Sequence, residues 1–350
     1  MSTGQIHVVV GGQYGSEAKG HVADQLHRRH KIDAAVRIGG PNAGHTVIDK
    51  AGVRFPLRTI PVAAATDHDT RLVIAAGSEI EIAVLFAEID MLERAGHPVR
   101  HRLYIDGEAT VIEPRHIDTE KNASLHEHIG STGKGIGAAR ADRMMRRART
   151  AKDFPELWDF LADTQQFLNG LHRNDGDVLI EGTQGYHLGL TAGHYPRSTT
   201  NNCRAIDCIS QAGITPRRLP DIWLVFRTYP IRVAGNSGTM ANEIDWEILH
   251  ERSGGYIQPE RTTVTQKVRR VAEWDPAAAR AAIDGNGGAD SQTLHCALMF
   301  ADYFDPAIAG TTTLHDITDS RAWLEIQALE ADLGVQFAMF GTGPDTVVWR

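Results

Sequence analysis

Residues 8–21, VVVGGQYGSEAKGH, run three valines into a glycine-rich turn and then a lysine. Such a turn aims backbone N–H groups outward at a helix N-terminus, which suits phosphate, and Lys19 would add a compact positive charge near terminal phosphates. The spacing is not GxxxxGK(S/T), because Ala18 precedes Lys19 and Gly20 follows it, so an ordinary strand–turn–helix corner is the plain alternative. A second strand-and-glycine stretch, VRIGGPNAGHTV at 36–47, presents Asn42 and His45. His45 could donate to phosphate or act as a general acid, since imidazole changes charge near neutral pH.

Three more polar clusters follow. STGKGIGAARADRMMRRAR (131–149) offers hydroxyls and N–H groups to an oxyanion, ahead of arginines at 140, 143, 146, 147 and 149. A solvated basic face is the ordinary fate of such a charge run, but beside a hydroxyl-rich turn it reads as a phosphate monoester site. In IEGTQGYHLGLTAGHYPRSTTNN (180–202), Gln184 could read a heterocyclic base, because an amide both donates and accepts, while Thr199 and Thr200 could hold a phosphate. TTVTQKVRR (262–270) combines hydroxyls with Lys267, Arg269 and Arg270, and paired arginines suit a dicarboxylate. GTGPD (341–345) is a further tight turn that could clasp a sugar.

Strands are expected at 6–10, 34–38, 71–76, 102–106, 178–182 and 222–233 to position these clusters. Helices are expected at 18–30, 78–95, 152–173 and 320–332, with Ser78 and Glu81 as a capping box. The alternation predicts an α/β fold with a mostly parallel central sheet flanked by helices, and ligands at the carboxyl ends of strands. No internal boundary is visible, so residues 1–350 are read as one domain with long active-site loops. A net charge of −8 argues against direct nucleic-acid binding. Three cysteines without zinc-like spacing, no signal-peptide pattern and no membrane-length apolar run give the expectation of a reducing, cytoplasmic setting.

Taken together and in this order, the stretches resemble the adenylosuccinate synthetase family. VVVGGQYGSEAKGH resembles its first phosphate loop, GGPNAGHT its GG-x-NAGHT, and STGKGIGAAR its TTGRGIGPAY. IEGTQG and HYPRSTTNN resemble its EGAQG and TYP segments, TTVTQKVRR its aspartate loop, and GTGPD its closing turn. The resemblance implies a two-step ligation: a triphosphate phosphorylates the 6-oxygen of a purine monophosphate, and L-aspartate then displaces that phosphate. It implies catalytic roles for Ser16, Lys19, His45 and Gln184. The monophosphate would be held by Ser16, Asn42, Ser131, Thr132, Gln184 and Thr199, with Arg146 donated across a homodimer interface. The triphosphate would lie on Gly15, Glu17, Ala18, Lys19 and Gly20, on Gly44, His45 and Thr46, and on Asp302, Gly341, Gly343 and Pro344. Aspartate would meet Thr263, Val264, Thr265, Lys267 and Arg269, and Mg²⁺ would bridge the phosphates with Gly44 and Ser16 among its ligands.

Two departures redirect the substrate reading. The family's GDEGKG loop carries an aspartate that serves as general base and metal ligand, where this chain has Ser16. A neutral, smaller side chain is too weak a base but leaves room for a purine 2-amino group. That exchange resembles the family's phage branch, the 2-aminoadenylosuccinate synthetases, which act on dGMP; an IMP-using enzyme and a catalytically inert nucleotide binder are the alternatives. The family's guanine-reading TKLD segment is matched only by Met299-Phe300-Ala301-Asp302, which points to ATP or dATP as donor. The stretch between the TYP segment and the aspartate loop also reads as trimmed relative to cellular members, as a viral version would be.

Overall fold

The computed structural model describes residues 4–262 and 266–350. Thr263, Val264 and Thr265 of the expected aspartate loop lie outside the described residues. The strands of the main sheet are β1 (Ile6–Gly11), β2 (Ala34–Arg37), β3 (Arg71–Ile74), β4 (Leu103–Asp106), β5 (Leu161–Ala162), β6 (Val178–Glu181), β7 (Asp221–Arg227), β8 (Leu294–Met299), β9 (Phe337–Gly341) and β10 (Val347–Trp349). They lie in the order β10-β9-β8-β7-β1-β6-β2-β3-β4-β5. Every pairing is parallel except β9 with β10.

The valines of β1 run unbroken because a central parallel strand is buried on both faces. Val9 packs with Ala35, Leu72, Leu179 and Val225 against Val22 and Leu26 of α1 (Lys19–Arg29) and Leu85 and Ile89 of α2 (Ile82–Arg94). Val8 and Val10 point the other way. They join Val36, Ile180 and Leu224 in a second core. It is closed by Ile209 of α6 (Ala205–Ala212), Ile283 of α7 (Pro276–Asp284) and Ile326 of α8 (Ala322–Leu333). Between α2 and α6 lie α3 (Pro114–Asn122), α4 (Ile136–Met144) and α5 (Thr164–Arg173). The expected α/β fold is therefore the observed one.

Three element expectations change. Glu79–Ile80 pairs as a short strand with Thr110–Val111, so α2 begins only at Ile82. The Ser78–Glu81 capping box does not form, because Ser78 Oγ donates instead to the Arg37 carbonyl at 3.0 Å. The strand expected over 222–233 divides into β7 and a separate Ile231–Arg232 strand. Pro230 lies between them and cannot donate to a ladder. The helix expected over 152–173 is preceded by 3₁₀ turns, and α5 starts at Thr164, where the Asp163 carboxylate accepts from the Gln166 N–H at 2.8 Å.

Candidate active site

The clusters at 11–20, 38–46, 182–202, 300–302 and 341–345 all follow the carboxyl ends of sheet strands, and Arg140 and Arg269 join them through contacts to Glu79 and Ser16. In the loop after β1, buried Glu17 accepts through Oε1 from the N–H groups of Gln13 at 3.1 Å and Gly15 at 2.7 Å. Its Oε2 pairs with Lys19 Nζ at 2.7 Å, and Nζ also donates to the Gly15 carbonyl at 3.1 Å. The loop is a formed anion nest whose donors are held by a carboxylate of the chain itself. Ala18 takes a left-handed turn, φ 66°, immediately before α1. Gly20 can carry no side chain, since a Cβ would sit 2.6 Å from His45 Cβ.

His45 is buried between two charges that end neighbouring strands. Its Nδ1 lies 2.9 Å from Glu181 Oε2, and Arg37 Nη1 reaches both ring nitrogens, 2.5 Å from Nδ1 and 2.9 Å from Nε2. Glu181 also accepts from the Val62 N–H at 2.8 Å, and Arg37 donates to the Ala43 carbonyl at 2.8 Å. Burial, then Arg37, then Lys19 hold the imidazole pKa well below its ordinary value. At neutral pH His45 is thus a neutral hydrogen-bonding ring rather than a cation. Burial pushes Glu181 up to about 7, against the pull of Arg37.

A small pocket opens beside these groups, lined by Asn42, Gln184, Thr199, Thr200, Glu79 and Arg140 among others. Three of the residues expected at the monophosphate therefore share one pocket. Gln184 holds a left-handed backbone, φ 64°, a conformation that costs a non-glycine residue about 1–3 kcal/mol and clusters at functional sites. Ser16, Ser131, Thr132 and Arg146 are not among the lining residues. The Gly135 and Gly137 N–H groups of their segment donate to Glu120 of α3 at 3.0 and 2.7 Å, so another internal carboxylate holds N–H groups expected to face an oxyanion. Arg146 is exposed at φ 58°.

Ser16 meets the other expected loop directly: Arg269 Nη1 donates to Ser16 Oγ at 2.5 Å. Arg227, buried at the end of β7, donates to the Ser16 carbonyl at 3.1 Å and pairs with Glu260. Lys267 Nζ lies 3.2 Å from His126 Nε2, which ties the same segment to the region before α4. Asp302 follows β8, where Tyr256 donates to its carboxylate at 2.6 Å and burial pushes its pKa up. Gly341 ends the adjacent β9 and packs against the Met299 side chain.

A family model for adenylosuccinate synthetase matches residues 8–156 and 148–306. The chain belongs to the adenylosuccinate synthetase family. It is 35% identical over 340 residues to the adenylosuccinate synthetase of Methanococcus aeolicus, covering 97% of this chain and 96% of the relative. The Archaeoglobus fulgidus enzyme is 35% identical over 341 residues, covering 97% and 95%. Among solved structures, the chain resembles cyanophage S-2L succinoaminodeoxyadenylate synthetase bound to dGMP and dATP, with TM-score 0.79, 26% identity, and 99% and 95% of the two chains covered. Adenylosuccinate synthetase from Plasmodium falciparum shares the fold, with TM-score 0.84, 20% identity, and 99% and 100% covered.

This chain is accordingly a carbon–nitrogen ligase of the type that joins aspartate to a purine nucleotide. Its near-complete overlap with the archaeal enzymes shows that cellular members of similar overall length exist. Among the described residues, no helix is long and apolar enough to cross a membrane, and no group of three His, Cys, Asp or Glu is arranged to hold a metal. The three cysteines are free and buried. Arg37, Glu181, Glu120, Arg227 and Glu260 were not singled out from sequence. The available signal for Arg37, Glu181 and Arg227 was a charged residue closing an apolar strand, as in AAVR, VLIE and DIWLVFR.

Proposed function

We propose that this ligase joins L-aspartate to C6 of dGMP, using ATP or dATP. The 6-oxygen takes the γ-phosphoryl group as N1 gives up its proton, releasing ADP or dADP. The aspartate amine then forms the C6–N bond, loses a proton and expels phosphate, giving N6-succinyl-2-amino-2′-deoxyadenylate, a precursor of diaminopurine DNA in phages. The observation that carries this reading is Ser16, a neutral side chain where the family motif has aspartate, held by Arg269 at 2.5 Å. Its hydroxyl retains acceptor capacity for an exocyclic amine.

Lys19 and His45 would stabilise the transferring phosphoryl group, and Gln184 would orient the purine. Asn42, Ser131, Thr132 and Thr199 would hold the monophosphate, with Arg146 reaching in from the second subunit of a homodimer. The triphosphate would extend over Gly15–Gly20 and Gly44–Thr46 toward Asp302 and Gly341–Pro344. Aspartate would lie against residues 263–265, Lys267 and Arg269. Mg²⁺ supplies charge neutralisation to the phosphates when bound. Gly44 is an exposed residue, but Ser16 Oγ lies against a guanidinium and is a weak donor for a cation. The phosphates must therefore supply most of the coordination.

The archaeal relatives favour a second reading, a conventional synthetase acting on IMP. Phosphate release is measured with GMP, dGMP, IMP and dIMP against ATP, dATP and GTP, with and without aspartate, followed by ultraviolet spectra of the products. Aspartate-dependent turnover of dGMP with an adenine nucleotide supports the proposal. Turnover of IMP but not dGMP replaces it with the second reading, and nucleotide binding without product under any combination refutes both.

A further inference from the structure

The cavity that holds Asn42, Gln184 and Thr199 also contains an ion pair that no role above uses. Arg140, on α4, lies with Nε 2.7 Å from Glu79 Oε1. Both side chains are largely enclosed, at 17% and 4% exposure. Glu79 Oε2 has no hydrogen-bond partner among the described residues. A buried ion pair carries a desolvation penalty that good geometry must offset, and an idle carboxylate oxygen works against that. The pair is a poor stabilising device as it stands.

Its surroundings favour an anion. Asn42, Thr199 and Thr200 line the same cavity, and among the described residues none of their side chains hydrogen-bonds to another protein group. Arg140 faces Glu79 through Nε as an ion pair without hydrogen-bond geometry, and donates from Nη1 to the Thr200 carbonyl at 3.4 Å. Nη2 makes no hydrogen bond among the described residues, so one edge of the fork remains for a ligand. A guanidinium anchored this way presents the planar donor geometry that matches a phosphate. The family segment TTGRGIGPAY, which residues 131–140 resemble, ends in tyrosine where this chain has Arg140, so the cation is a departure of this chain.

We infer that Arg140, oriented by Glu79, binds the 5′-phosphate of the purine monophosphate from within the same subunit, together with Asn42, Thr199 and Thr200. Arg140 is a binding residue and Glu79 a positioning residue. The inference rests on the monophosphate occupying this cavity, as proposed above.

Calorimetric titration of the full chain with dGMP, with deoxyguanosine as the phosphate-free control, tests it. R140Q should weaken dGMP binding roughly 10- to 100-fold, the range for losing one or two charge-assisted hydrogen bonds. R140K should recover part of the loss, and deoxyguanosine binding should not change. The double variant E79Q/R140Q keeps the buried site neutral if R140Q alone fails to fold, and should show the same selective loss. Wild-type dGMP affinity in a folded R140Q or double variant overturns the inference while leaving the proposed function standing. Equal losses for dGMP and deoxyguanosine also overturn it, because they make Arg140 a general support of the pocket. A wild-type chain that binds no purine monophosphate removes the proposed function and this inference together.

Discussion

Glu181→Gln is the most direct test of the charged centre under the active-site loops. The substitution keeps the shape of the side chain and an acceptor for the Val62 N–H, but removes the charge facing fully buried Arg37 and the acceptor 2.9 Å from His45 Nδ1. Above the Glu181 value of about 7, where the carboxylate is ionised, stranding one partner of a buried pair typically costs about 3–5 kcal/mol, so the measurement belongs at pH 8 or higher. With an unfolding entropy of about 2.1 cal/mol/K per residue, 350 residues give roughly 0.7 kcal/mol/K, so the melting temperature should fall by about 4–7 °C. The cost comes from an uncompensated guanidinium, so adding Arg37→Met should restore much of the loss. Calorimetry on the two single variants and the double variant forms a cycle, with an expected coupling of roughly 2 kcal/mol or more. Additive losses would refute the claim that Arg37 and Glu181 act as one unit, as would a Glu181→Gln protein that melts with the wild type.

Other perturbations separate further parts of the molecule. Ser16→Asp should lower kcat/KM for dGMP at least about tenfold by crowding the 2-amino group and pairing with Arg269, while IMP turnover holds or rises; steady-state kinetics with both nucleotides decides it. Burial lowers His27 to about 4 from an ordinary 6.5, and neither ring nitrogen has a partner among the described residues. Between those values the unfolded chain binds the extra proton, so this histidine withdraws stability as pH falls from about 6.5 to about 4, by up to roughly 3 kcal/mol. His27→Leu should therefore be neutral or stabilising at pH 7 and lose less stability than the wild type at pH 4–5; parallel denaturant curves for the two proteins would contradict this. Glu120→Ala frees the N–H groups of Gly135 and Gly137, and should cost about 1–3 kcal/mol in urea unfolding and raise KM for the monophosphate more than KM for aspartate.

Local pattern determined much of this protein. The valine run of β1 and the apolar strands AAVR, RLVI and VLIE announce a buried parallel sheet, because only such a sheet needs side chains of that kind at successive positions. The ordered glycine-framed motifs announce the family, and their placement after strands announces the site. Where local cues compete with partners distant in sequence, the pattern misleads: Ser78 matches a capping box, yet its hydroxyl serves the Arg37 carbonyl 41 residues away.

Tertiary structure alone decided what the charged groups do. Glu17 stands within a glycine turn and Glu120 on α3, 15 residues before Gly135, but only folding turns them onto N–H groups that look free from pattern alone. His45, Arg37 and Glu181 lie on three separate segments, and their common burial holds the imidazole neutral. Ser16 and Arg269 stand 253 residues apart and meet at 2.5 Å. Spacing along a chain reports local geometry. Desolvation and pairing depend on which segments share a space, and that is set only when the sheet has closed.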